Sequence, residues 1–397
     1  MNSHRRVLIY SPDSYGLGHF RRCLTIGREL AARIQDLSML CLTGSPRPDL
    51  FALPRGLETV KLPSITKSAA GGYESLVQNF EIAQIAQLRI SLFDAVVKEF
   101  RPDVILVDHA PLGTLGELLP VLERIRERRE AFLVLGLRDI IDSPERMHAE
   151  WEERGLFQRV PDLYDQVLVY GDPRIFDALA EYRLARLLPG RAHFTGLVCR
   201  CVTALPPAPG FDAEQRRGRV LVTTGGGGDG MPMIEDALEL LAGWRGPVRV
   251  VLGPLSDRAQ TERIHRLAAA IPDCTLIRAS RGMCRELRDA DLVVCMAGYN
   301  TAYESVRAAR RVALVPRAGS RLEQRLRAAR LAALGFAQAV DPEPALRKAS
   351  LARALAAATP PSASFRPDFR GARRAAALLA AWFADRDAVL AAKGASA

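Results

Sequence analysis

Short apolar runs and longer stretches of helical periodicity alternate along this chain. Arg6–Tyr10, Ser38–Thr43, Val104–Val107, Leu133–Leu137 and Gln166–Tyr170 are strand-like runs in the first half, with shorter ones at Leu57–Leu62 and His193–Thr195. Arg219–Thr223, Val248–Leu252, Cys274–Ile277, Leu292–Cys295 and Val312–Val315 repeat the pattern in the second half. Several are apolar without alternation, as strands covered on both faces are. Helical spacing follows the runs: Phe20, Leu24, Ile26 and Leu30 after the first, and Phe80, Ile85, Leu88, Leu92 and Val96 within a long stretch, Glu74–Phe100. This repeated strand-then-helix order predicts an α/β protein built on parallel sheets.

Pro206, Pro207, Pro209 and Gly210 interrupt the pattern midway. They predict a first domain over residues 1–200, a linker over 201–217 and a second domain over 218–360. Pro360-Pro361 then sets off residues 361–397, a last Ala-rich helix over Gly371–Ala391 with Trp382 and Phe383 as anchors, followed by a disordered tail. The 397 residues suffice for two domains of about 150–200 each. Ser64–Tyr73 has no periodicity and reads as a mobile loop. A helix is expected to follow Gly171-Asp172-Pro173 and run through Arg183.

Three turns follow predicted strands and carry the candidate chemistry. Gly16 and Gly18 precede a helix that begins near His19, so backbone N–H groups are presented at a strand's C-terminal edge, where open α/β sheets bind ligands. Thr224 opens a second turn, with Gly225, Gly226, Gly227, Gly228 and Gly230, whose amides can nest a diphosphate. No Gly-Lys-Ser/Thr follows, which excludes a P-loop. The next strand ends in Gly253-Pro254 without an acidic residue, which disfavours a dinucleotide site. In the third turn, Ala297-Gly298 ends the run Leu292–Cys295, and Asn300-Thr301 are placed to cap a helix carrying Glu304. The N–H groups of that helix attract phosphate, and a carboxylate one turn in can accept from a ribose diol.

Two carboxylates end strands in the same domain as His19. Asp108 follows Val104–Val107, and Asp139 follows Leu133–Leu137 and Arg138. Either suits the role of orienting His19 as a general base, and His109 is a rival base. The sequence does not choose among them.

The third turn resembles the donor-site signature of GT-B glycosyltransferases related to MurG, a small-Gly-x-x-Thr-x-x-Glu run matched by Ala297, Gly298, Thr301 and Glu304. Ala297 stands where a Ser is more usual. The resemblance extends through Met283, Asp289-Ala290-Asp291 and Glu323-Gln324, and covers most of the C-terminal half. It implies that Glu304 binds the ribose of UDP, that Met283 lies near the uracil, that Gly226–Gly228 face the donor phosphates and that Glu323 and Gln324 meet the sugar. Gly16-Leu-Gly18-His19-x-x-Arg22 resembles the first loop of the same group. It is closer still to that of the UDP-sugar hydrolase of pseudaminic acid biosynthesis, in which the His acts in catalysis. In plant-type GT-B enzymes a first-loop His is paired with an Asp after a later strand. The implied architecture is GT-B, two Rossmann-like domains facing across a cleft, with acceptor specificity in the first.

Composition adds bounds. The formal charge is +10, almost all of the positive charge being Arg; this suits anionic ligands or peripheral contact with an anionic membrane. Basic residues are dispersed and no nucleic-acid-binding signature occurs. No apolar run approaches a membrane span, and the N-terminal residues contain no signal-peptide pattern, so a cytoplasmic protein is expected. Seven scattered cysteines complete no zinc pattern and are expected to be free, mostly buried thiols. The reading is an inverting, metal-independent transferase without a cofactor. It moves a sugar from a nucleotide sugar to a small-molecule or lipid-linked acceptor. A hydrolase or nucleotide-sugar 2-epimerase on the same fold, and a nucleotide-sugar-binding protein without chemistry, are the alternatives.

Overall fold

The computed structural model describes residues 4–12, 16–67, 72–76, 79–201, 212, 214–215, 217–226, 230–256, 258–280, 282–319, 321–357 and 362–394. They form two compact units. Unit 1 comprises Met1–Asp139, Pro144–Val198 and Asp368–Ala397, and unit 2 comprises Ile140–Ser143 and Cys199–Pro367.

Unit 1 holds strands β1 (Arg5–Ser11), β2 (Leu37–Thr43), β3 (Leu57–Lys61), β4 (Ile65–Lys67), β5 (Tyr73–Ser75), β6 (Val104–Asp108), β7 (Phe132–Arg138), β8 (Gln166–Tyr170) and β9 (Ala192–Phe194). Seven of them form one parallel sheet in the order β3-β2-β1-β6-β7-β8-β9. Every residue of β6 is buried, as its unbroken apolar run predicts. Unit 2 holds β10 (Val220–Thr223), β11 (Val248–Val251), β12 (Cys274–Ile277), β13 (Leu292–Met296), β14 (Val312–Val315) and β15 (Gln338–Ala339). These pair in parallel in the order β12-β11-β10-β13-β14-β15. Its core gathers Val222, Val250 and Val294 from the sheet with Ile234, Leu238 and Ile264 from the covering helices. Each such side chain contributes about 1.5–3 kcal/mol by leaving water.

Both sheets place their first strand centrally and step outward first to one side, then to the other. This is the doubly wound order, and it reverses between β1 and β6 in unit 1 and between β10 and β13 in unit 2. The segments that follow β1, β10 and β13 carry His19, the glycine turn and the Ala297 turn, and β6 ends at Asp108; Asp139 follows β7, Met283 follows β12, and Glu323 and Gln324 follow β14.

Four local expectations are corrected. The stretch expected as a loop at 64–73 contributes the antiparallel pair β4–β5, residues 68–71 lying outside the described ones. The helix expected from Glu74 spans Ile82–Phe100, because Glu81 and Gln84 form a reciprocal capping box that fixes its start. The helix expected through Arg183 is two short turns, Ala178–Glu181 and Leu184–Leu187, separated by Arg183 at φ 57°. The last helix runs Gly371–Gly394, so residues 392–394, beyond the expected end at Ala391, are helical. Trp382 of this helix stacks on Phe132, ring centroids 4.8 Å apart. Where unit 1 is interrupted, Leu197 N–H donates to the Asp368 carbonyl (2.7 Å) and the Leu197 carbonyl accepts from Gly371 N–H (3.0 Å). The proline linker, 202–211, lies outside the described residues.

Candidate functional site

In unit 1 the turn after β1 contains Gly16 at φ 121°, a left-handed conformation that suits glycine. The helix Gly18–Arg33 starts directly after it and holds His19 in its first turn. β6 lies beside β1 and ends at Asp108, so both residues reach the same sheet edge. His19 Nδ1 is 2.7 Å from Asp108 Oδ2. Arg22 grips the same carboxylate with Nε on Oδ1 (2.9 Å) and Nη2 on Oδ2 (2.5 Å). Asp108 is 0% exposed and Arg22 2%. Burial by itself disfavours the charged carboxylate, but the Arg22 charge and the His19 hydrogen bond outweigh it and hold Asp108 below the usual carboxylate range.

An ionised Asp108 accepts only, so His19 Nδ1 carries the proton it donates, and Nε2 is the basic nitrogen. Arg22 Nη2 also lies 2.8 Å from Nδ1. In this tautomer both are donors, and the contact is a proximity imposed by their shared acceptor. The Arg22 guanidinium lies 5.6 Å from the Tyr170 ring centroid. Tyr170 fits there because β7 has glycine at 136, where a Cβ would lie 2.0 Å from the Tyr170 hydroxyl oxygen.

The structure thus pairs His19 with Asp108 and places the two other candidates differently. His109 adopts φ 66° and stacks on His19, centroids 5.2 Å apart and planes 27° apart. Its Nε2 lies 2.9 Å from Arg138 Nη2, which donates to it, so that nitrogen is engaged. Asp139 is buried beyond β7 beside Gly171, where a Cβ would lie 2.9 Å from Asp139 Cβ.

A second buried network at this sheet edge escaped the sequence reading. Tyr10 donates to Glu117 Oε1 (2.6 Å), and Arg89 donates to Glu117 Oε1 (2.8 Å), the Tyr10 hydroxyl (3.0 Å) and the Pro63 carbonyl (2.9 Å). Burial and the Glu117 charge raise the Tyr10 pKa. The available signal was Arg89 sitting between Ile85 and Phe93 at helical spacing, on the face that enters the core.

In unit 2, β10 and β13 are partners in register, Thr223 opposite Cys295, so their following turns adjoin. Gly225 has φ 83°, and a Cβ there would lie 2.5 Å from Thr301 Oγ1. The glycine turn therefore rests on the first turn of the helix Tyr299–Ala308. Gly226 is part of this turn; Gly227 and Gly228 lie outside the described residues. The expected cap is corrected: Gly298 is the N-cap, extended at φ −65° and ψ 148° and without a side-chain bond. Asn300 and Thr301 are helical residues, because the chain enters the helix straight from Ala297-Gly298. Their N–H groups belong to the first-turn donors that have no intrahelical partner.

Gln324 and Glu323 begin the helix Glu323–Ala333. Gln324 Nε2 lies 3.9 Å from where a Gly298 Cβ would be, and its Oε1 accepts from Arg317 N–H (3.0 Å). Asp142 Oδ1 accepts from Leu322 N–H (2.8 Å) at the same helix start. Glu323 pairs with Arg327 (2.9 Å), and Arg327, 0% exposed, donates from Nη1 to the Ala297 carbonyl (3.0 Å) and from Nη2 to the Ile140 carbonyl (3.3 Å). Its guanidinium lies 5.6 and 5.7 Å from the Tyr299 and Tyr303 rings. Arg327 thus ties the Ala297 turn to the helix of Gln324, a role the sequence reading did not assign.

Glu304 is 2% exposed, with Oε1 3.9 Å from Arg200 Nε. Met283 starts the helix Met283–Asp289. Its neighbour Cys284 forms a disulfide with Cys201, which corrects the expectation of free thiols for these two; Cys23, Cys41, Cys199, Cys274 and Cys295 are not disulfide-bonded. The sulfurs lie within 4.8 Å of a Glu304 carboxylate oxygen, so Met283 and Glu304 belong to one locality.

No protein-family model and no curated protein matches this sequence. Solved structures do. CalG4, the calicheamicin glycosyltransferase, is 16% identical with 98% of each chain covered and a TM-score of 0.57. Acinetobacter baumannii MurG is 15% identical, with 94% of this chain and 99% of that chain covered and a TM-score of 0.52. A UDP-N-acetylglucosamine 2-epimerase (putative in its description) from Listeria monocytogenes is 14% identical, with 98% of each chain covered and a TM-score of 0.59. The chain has the GT-B fold, two Rossmann-like units, as the sequence motifs implied. At these identities the likeness is one of fold, and a fold shared by transferases and an epimerase does not by itself decide the reaction.

Proposed function

We propose that this chain is a glycosyltransferase that moves a sugar from a nucleotide-diphosphate donor, UDP-linked, to an acceptor hydroxyl or amine with inversion at the anomeric carbon. The observation that carries the reading is the His19–Asp108 pair, 2.7 Å apart with the carboxylate buried and held ionised. That arrangement directs the Nδ1 proton to Asp108 and leaves Nε2 as a general base. His19 Nε2 takes the acceptor proton as the acceptor atom bonds to the anomeric carbon. The bond from that carbon to the diphosphate breaks, and its electron pair leaves on the diphosphate.

In unit 2 the amides of Gly225 and Gly226 and the start of the helix Tyr299–Ala308 suit the departing charge. These donors stabilise an anion without a metal ion or cofactor. Glu304 accepts from the ribose diol, Met283 lies by the base, and Glu323 and Gln324 meet the sugar. The acceptor is a small molecule or a lipid-linked one. Among the described residues no helix is long and apolar enough to cross a membrane, so lipid-linked acceptors would be met by peripheral contact from the cytoplasm.

Water in place of the acceptor would make the same base a hydrolase, the reading favoured by the Gly16-x-Gly18-His19-x-x-Arg22 loop. The test is mass spectrometry of the protein incubated with a panel of nucleotide sugars, with and without cell extract. A new glycoside that appears only with extract supports transfer. Free sugar without extract makes the protein a hydrolase, and an isomeric nucleotide sugar makes it an epimerase. His19→Ala is expected to lower turnover by roughly 10²–10⁴-fold with donor binding kept. Glu304→Ala is expected to weaken donor binding by about 10–100-fold. Turnover intact in His19→Ala refutes the assignment of the base.

A further inference from the structure

Cys201, Cys284 and Glu304 converge on one point of unit 2 from three separate parts of the chain. Cys201 lies at the start of the unit, Cys284 in the first turn of the helix Met283–Asp289, and Glu304 on the helix Tyr299–Ala308. The cysteines are bonded across a sequence separation of 83, with Cα atoms 5.2 Å apart. One ligand atom from each of the three residues lies within 4.8 Å of the others. Cys201 and Glu304 are 1% and 2% exposed.

We infer that the reduced form of this cluster is a binding site for a zinc-like divalent cation, with two thiolates and the Glu304 carboxylate as ligands and a fourth position open to water. The donor set is of the right kind, since thiolates and carboxylates together hold zinc in four-coordinate sites at about 2.0–2.3 Å. The spacing is right as well: atoms already within 4.8 Å of one another reach a common centre by side-chain rotation. Two thiolates and one carboxylate around a doubly charged ion leave a net single negative charge. Arg200, whose Nε is 3.9 Å from Glu304 Oε1, offsets that charge. A low-dielectric site of this kind needs such balance.

Opening the site is a balanced step. A dithiol reductant delivers two electrons and two protons to the two sulfurs and closes to its own disulfide, and the incoming cation displaces the two thiol protons to solvent. In a reducing compartment, such as the sequence leads one to expect, a paired-cysteine arrangement is more often metal-binding than disulfide-bonded. The disulfide and the cation complex are then alternative states of one locality. The site does not require the proposed transferase activity, but it uses the same Glu304 carboxylate, so a bound cation and the donor ribose would compete for it.

The test uses the full chain, reduced under anaerobic conditions, freed of reductant and titrated with Co²⁺ as a probe for zinc. One equivalent is expected to bind with a thiolate-to-cobalt charge-transfer absorption and the visible bands of a tetrahedral ion, and Zn²⁺ is expected to abolish both. The oxidised wild type, folded and identical in sequence, should show neither. Cys284→Ser should lose the charge-transfer band, Cys199→Ser should keep it, and Glu304→Gln should bind at least tenfold more weakly. The inference is overturned if the reduced wild type binds Co²⁺ no more tightly than the oxidised protein. It is equally overturned if Cys199→Ser removes the band, which would move the ligands to the Cys199–Cys201 pair.

Discussion

Replacing Asp108 by Asn tests the electrostatic core of unit 1 with no change in side-chain size. In the wild type the fully buried carboxylate receives Arg22 Nε, Arg22 Nη2 and His19 Nδ1. An amide offers one oxygen and one donor group. It can keep Arg22 Nε on its oxygen but turns an N–H₂ group toward Arg22 Nη2 and His19. Arg22, 2% exposed, is then a buried cation without its counter-charge. Removing one partner of a buried ion pair costs about 3–5 kcal/mol, and the retained hydrogen bond puts the variant at the lower end, near 3 kcal/mol.

Unit 1 can be observed alone. Trp151 and Trp382 lie in it and Trp244 in unit 2, so in a Trp244→Phe background urea melts followed by tryptophan fluorescence report unit 1. The pH dependence has a definite sign. Asp108 titrates below its unfolded value, so its contribution is complete above that value, about 4, and is lost as pH falls through the lowered folded value. The amide does not titrate. The stability gap between wild type and Asp108→Asn should therefore be full at pH 7 and shrink below about pH 4. A gap under about 1 kcal/mol at pH 7, or one unchanged in acid, refutes the reasoning.

Gly225→Ala should destabilise unit 2 by roughly 2–3 kcal/mol, since φ 83° strains an L-residue and its Cβ would lie 2.5 Å from Thr301 Oγ1; adding Thr301→Ala should recover part of the loss in Trp244-monitored melts. Arg327→Met should cost about 3–5 kcal/mol by removing a buried cation that bonds the Glu323 carboxylate and the carbonyls of Ala297 and Ile140, and a cost under about 1 kcal/mol would show that the Ala297 turn stands without it. Cys201→Ser opens a loop closed across 83 residues and should lower the stability of the oxidised protein by roughly 4–5 kcal/mol on chain-entropy grounds, checked by urea melts with and without reductant.

The central strands could be read from the sequence because burial on both faces leaves an uninterrupted apolar run, and β6 and β13 show it plainly. The turns could be read because glycine is demanded where backbone turns left-handed or a neighbour comes close, as at Gly16 and Gly225. Partnerships were harder. Asp108 and Asp139 both end strands, and the choice of Asp108 for His19 depends on β6, not β7, lying next to β1, a matter of strand order. Cys201 and Cys284 meet through a fold that brings positions 83 apart together, which local pattern does not encode. Helix starts were misread where a capping box or a bare glycine, rather than the nearest polar residue, set the boundary, as at Glu81 and Gly298. Arg89 and Arg327 look like surface cations by composition and are core residues by position.

The clasp between Leu197 and the 368–371 segment bears on how such a chain can be rebuilt. Its bonds run main chain to main chain, and it requires glycine on both sides: at 371 a Cβ would lie 2.3 Å from the Gly196 carbonyl oxygen, and at 196, where φ is 91°, one would lie 2.8 Å from the Asp368 carbonyl oxygen. Unit 1 is therefore stitched shut across its own interruption, and Cys199–Pro367 forms a cassette between fixed ends. A foreign segment spliced in at these ends would find the stitch independent of its side chains. It would have to supply a match for Ile140–Ser143, the four residues that unit 2 takes from the first half of the chain.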